Sequence, residues 1–115
     1  MGNADTRQIL ADAASGVDGL RGHPYYVQNV GPGDVLVDVA QIDHPNPFGG
    51  VVTWAVTLVC PVALHDAQRY SDDHAPALKA ALDPHMTVTT IRPQAMLFDG
   101  RELPVVVITG TREED

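Results

Sequence analysis

The chain has 115 residues, 44% of them hydrophobic and 19% charged, and its seven Lys+Arg against fifteen Asp+Glu give a formal charge of −8 at pH 7. That is enough for one domain with one core, residues 1–115, hiding roughly two-thirds of its unfolded surface, and too apolar a mix for disorder. The basic residues Arg7, Arg21, Arg69, Lys79, Arg92, Arg101 and Arg112 stand apart along the chain, which disfavours a grip on nucleic acid or an anionic membrane. A single cysteine, Cys60, excludes an intrachain disulfide and a Cys-based zinc site, and no apolar run is long enough to span a membrane.

Asp5 reads as a helix N-cap with Gln8 completing a capping box, and Ile9, Leu10, Ala13, Ala14 and Val17 recur at helical spacing. The first element is therefore a short helix over Thr6–Ser15. Gly22–Gly33 follows as an edge strand or extended arm carrying Tyr25 and Tyr26. Gly31-Pro32-Gly33-Asp34 is a turn, because proline fixes its own φ and glycine supplies a positive one.

Val35–Ile42 is a strand by β-branched content, with Val35, Val37 and Val39 on one face and Leu36, Asp38, Ala40 and Ile42 on the other. A loop, His44–Gly50, leads to a second strand over Val51–Cys60, antiparallel to the first. Its core face holds Val52, Trp54, Val56, Leu58 and Cys60. A second helix spans His65–Leu82; Pro76 breaks or kinks it and Asp83-Pro84 ends it. Met86–Arg92 is a third strand. Asp99-Gly100 is a tight turn between Gln94–Phe98 and a fourth strand, Leu103–Thr109, after which the charged tail Thr111–Asp115 frays. The order α-β-β-α-β-β gives an α+β fold: a mostly antiparallel four- to five-stranded sheet with the N-terminal and middle helices on one face.

No catalytic or metal-binding constellation emerges. The five histidines, His23, His44, His65, His74 and His85, lack ligand spacing; His65 and His74 lie nine apart and so on opposite sides of a helix. Cys60 is in phase with Trp54 and Leu58 and reads as an inert buried thiol. Neither serine sits in a nucleophile elbow, Gly31-Pro32-Gly33 lacks the lysine of a phosphate loop, and Asp72-Asp73 reads as a solvated pair. Tyr25, Tyr26 and Phe48, by contrast, fall in loops rich in Gly and Pro, where aromatic side chains suit contacts with other chains.

Taken in order, the Thr6–Ser15 helix, Gly31–Val37, Asp43–Gly49, Val52–Leu58, Ala77–Leu82, Val88–Pro93 and Leu103–Thr109 resemble the bacteriophage tail terminators, minor tail proteins that cap the tail tube. The resemblance covers nearly the whole chain and lies in element order and length, without a diagnostic motif. It implies a virion subunit of the tail and neck, assembled in the host cytoplasm. Six copies would form a ring on the head-proximal end of the tube, stopping polymerisation and docking a head–tail connector or stopper protein. The partners implied are further copies of the chain, the tube protein and that neck protein, with DNA only passing through the lumen. No enzyme activity and no cofactor are implied.

A ring built head to tail uses two different patches per subunit. The expected contact residues are Tyr25, Tyr26, His44, Pro45, Asn46, Pro47, Phe48, Asp99, Arg101 and Glu102. Two other readings remain: another connector, stopper or tube subunit of the same particle, and a small ligand-binding or hydrolytic α+β domain that uses its histidines.

Overall fold

A computed structural model describes residues 3–27, 29–46 and 49–114. Helix α1 (Asn3–Ser15) leads into a short strand β1 (Arg21–His23), then β2 (Asp34–Asn46), β3 (Gly49–Val59), α2 (Leu64–Leu82), β4 (Thr87–Phe98) and β5 (Arg101–Glu114). The five strands form one sheet in the order β1-β2-β3-β5-β4. All neighbours are antiparallel except β1 and β2, which run parallel. The expected α+β fold is present, with both helices against one face.

That face carries the main core. From the sheet come Val35, Val37, Val52, Trp54, Val56, Leu58, Val106 and Ile108, and from the helices Leu10, Ala14, Leu78 and Leu82. The period-2 alternation on β3 is what points Trp54, Val56 and Leu58 inward together. Each large aliphatic buried this way contributes roughly 1.5–3 kcal/mol. The opposite face holds a second cluster of Val30, Leu36, Val59, Phe98, Leu103, Val105 and Val107, which sequence periodicity did not reveal. Phe98 and Leu103 sit at the far end of the β4–β5 hairpin yet pack with Leu36 of β2, so the hairpin end curls across the sheet. The strong twist of a long two-stranded ribbon allows this.

Both turns expected from sequence are in place. Asp34 N–H donates to Gly31 O (3.0 Å) and Gly33 has φ +96°, a type II turn with Pro32 leading. Asp99 (φ 51°) and Gly100 (φ 79°) form the two-residue turn between Phe98 and Arg101, where a positive φ at both positions matches the twist of the flanking strands.

Several expectations are corrected. Helix α1 begins at Asn3, so Asp5 lies inside its first turn, favourably placed toward the positive end of the helix dipole, and is not the cap. Strand β2 continues through His44, Pro45 and Asn46, residues assigned above to a loop; Pro47 and Phe48 lie outside the described residues. A bulge between Val39 and Gln41 inserts Ala40, and this returns Ile42 to the face of Val39, opposite Val52. Of the two outcomes expected at Pro76, a kink or a break, the break is absent: Leu64–Leu82 is one helix running through Pro76, whose exposed ring lies on the solvent side. Strand β4 likewise runs through Pro93, tolerated because β4 is an edge strand. The charged tail does not fray: Arg112, Glu113 and Glu114 pair with Val52, Val51 and Gly50.

Candidate interaction surface

Two knots hold the segment that carries Tyr25 and Tyr26. The first is Asp34, buried at the start of β2. Its Oδ1 accepts from Arg21 Nε (2.9 Å) and His23 Nε2 (3.0 Å), and its Oδ2 accepts from Gly31 N–H (2.8 Å). Burial works to raise the Asp34 pKa, but the bonds from His23, Gly31 and Arg21 outweigh it and hold the carboxyl below its usual range. A lowered folded-state pKa means the stabilisation is complete above the unfolded value of about 3.9 and disappears as pH falls through the folded value. Asp34→Asn is therefore expected to lower the urea midpoint at pH 7 and to approach the parent as pH falls through the folded-state value of Asp34. A gap that stays constant with pH would show that Asp34 contributes no charge-dependent stability.

The second knot is Arg7 on α1. Its Nη1 donates to Val37 O (2.9 Å) and Pro24 O (3.0 Å), and its Nη2 lies 3.4 Å from Asp38 Oδ1. The Val37 carbonyl belongs to β2 just beyond the last residue that β1 pairs, so Arg7 satisfies the sheet edge where β1 stops. The same guanidinium lies 4.8 Å from the Tyr25 ring centroid, a cation–π contact that fixes the ring from one side. Tyr26 stacks on Phe98 with centroids 6.2 Å apart and planes 10° from parallel.

Each tyrosine is thus held on one side and open on the other, at 55% and 59% exposure. Leu97, 68% exposed, joins them around a hollow of about 320 Å³ floored by Leu36, Thr57 and Phe98. Aromatic side chains already braced on one face lose less entropy on docking than free ones, which makes this a candidate contact patch.

The expected contact residues fall into two groups. Tyr25, Tyr26, Asp99, Arg101 and Glu102 gather at the end of the sheet where the β4–β5 hairpin turns. His44, Pro45 and Asn46 lie at the other end, where β2 finishes opposite the start of β3, which pairs with the C-terminal residues of β5. The longest dimension of the molecule is 46 Å, and the 14-residue β5 connects the two groups, with Arg101 at one of its ends and Glu114, opposite Gly50, at the other. Sequence reasoning missed Leu97 and Phe98; the alternation of Met96 and Phe98 with Leu97 was the available signal, since a strand buried on one face only has no use for a large apolar residue on the other.

The histidines are dispersed. His74 stacks on Tyr70 (4.1 Å) and its Nδ1–H donates to the Tyr70 carbonyl (3.0 Å), His65 meets Arg69, and His23 serves Asp34. Among the described residues no group of three or more His, Cys, Asp or Glu is placed to hold a metal ion. Burial raises the pKa of the Cys60 thiol, and burial together with nearby Cys60 raises that of the Tyr70 phenol, so neither is activated as a nucleophile. No described helix is long and apolar enough to cross a membrane. Compared with known proteins, the chain matches no family model and no curated relative.

Proposed function

We propose that this chain is a structural virion subunit, catalysing nothing, that closes into a hexameric ring at the head-proximal end of a phage tail tube. There it ends tube growth and offers a docking surface to the neck of the capsid. The reading rests on the resemblance in element order and length, and one observation carries it further. The candidate contact groups sit near opposite ends of the 14-residue β5, one of them including the exposed tyrosine pair. Head-to-tail closure of a ring needs two unlike patches of this kind on each subunit, whereas a two-fold dimer needs one that fits itself. The acidic balance is compatible with DNA moving through a ring without adhering, because like charges do not release counterions on contact.

Native mass spectrometry of the purified chain, alone and with tail-tube subunits, tests this. Hexamers, or rings bound only at tube ends, are the expected result. The double variant Tyr25→Ser/Tyr26→Ser should dissociate the ring while changing subunit stability by no more than about 1 kcal/mol, both side chains being largely exposed. A subunit that stays monomeric and ignores tubes overturns the reading.

A further inference from the structure

Strand β4 has an apolar side that, beyond Val88, no described residue covers. By its pairing with β5, Ile91, Pro93, Ala95 and Leu97 share the face on which the helices lie, and all four are exposed. Helix α2 packs on β5, and of the described β4 residues Val88 is the one packed against the core beside it. Between them runs a groove of about 540 Å³ walled by Ala67 and Ser71 of α2, Pro93 and Ala95 of β4, and Pro104 of β5; Val62, 70% exposed, stands at its mouth. Only two charged side chains line it, Asp72 from α2 and Glu102 from β5, and both are acidic.

The occupant cannot be another strand added to the edge: Pro93 has no N–H to offer and a bulge between Val88 and Thr90 breaks the repeat. An occupant lying across the face, in the groove beside α2, meets the apolar residues of β4 without needing that edge. A second copy is a poor occupant, since the apolar sides of its two helices are already buried against its own sheet. We propose that the groove seats an amphipathic helix of a different protein, apolar on the side it buries and carrying Lys or Arg at the flanks to meet Asp72 and Glu102. The groove adjoins the tyrosine patch near Leu97 and Glu102, but neither tyrosine lines it, and peptide binding to it can be measured on the subunit whether or not a ring forms.

Calorimetric titration tests it with two 18-residue helical peptides, both with leucines at i, i+3, i+4 and i+7, one flanked by lysines and the other by glutamates. The lysine peptide is expected to bind at least tenfold more tightly than the glutamate peptide. Asp72→Lys/Glu102→Lys should weaken it at least tenfold. Asp12→Lys/Asp18→Lys, the same change of charge made at exposed sites away from the groove, should alter it less than twofold. Absence of binding, equal binding of the two peptides, or equal losses in the two charge variants overturns the proposal.

Discussion

Gly22→Ala is expected to lower the melting temperature by about 15 °C, measured by circular dichroism, while Gly31→Ala moves it by no more than a degree or two. A Cβ added at Gly22 would sit 1.9 Å from the Ala11 carbonyl oxygen and 2.7 Å from the carbonyl carbon. These are backbone atoms of α1, so no side chain can swing aside; helix and strand must separate. Overpacking of this kind costs about 3 kcal/mol, at the upper end of the usual range, because Leu10, Ala11 and Ala14 move away from the sheet together. At Gly31 nothing lies within 4 Å of the added carbon, and the N–H that Asp34 accepts remains. Melting of the Gly22 variant within 3 °C of the parent would show that α1 is not seated on β1 this closely.

The second large effect separates two substitutions at one position. Trp54 is fully buried between Val39 and Gly110 on neighbouring strands, with Arg7 5.9 Å from its ring centroid. Trp54→Ala should destabilise by about 4 kcal/mol, the sum of lost transfer energy and an unfilled cavity. That is a large part of the 5–15 kcal/mol typical of a whole domain. Trp54→Phe should cost only about 1–2 kcal/mol, because the indole Nε1 has no acceptor among the described residues and its removal abandons no bond. Urea unfolding followed by circular dichroism distinguishes the pair. Equal losses would mean that the indole N–H is satisfied after all.

The parts of the fold that were legible in the sequence are those written in local chemistry. Gly31-Pro32-Gly33 and Asp99-Gly100 specify backbone angles that few other residues adopt, and both turns stand where expected. The alternation through Trp54, Val56 and Leu58 fixed the core face because a strand's period is short and unambiguous. Features decided by distant partners were not legible. Pro45 and Pro93 read as loop or strand breakers, yet at or near a sheet edge the missing N–H costs little. The single inserted residue Ala40 reversed the facing of Ile42, and nothing local marks a bulge there. Tail residues Arg112–Glu114 are polar, but β3 offers them a ladder. For the candidate surface, Tyr25 and Tyr26 stood out as aromatics in a loop; that Arg7 and Phe98 immobilise them required the sheet to bring together residues far apart in sequence.

Cys60 has a practical consequence. The thiol is 2% exposed at the end of β3, its pKa is pushed up by burial, and its Sγ–H points to the Leu58 carbonyl (3.8 Å). The thiol borders the floor of the groove beside α2, and at 2% exposure an alkylating reagent reaches it fully only when that seam between α2 and the sheet widens. With no second cysteine to compete for it, the rate of labelling would time that parting directly, giving an intrinsic clock for transient breathing that needs no engineered probe.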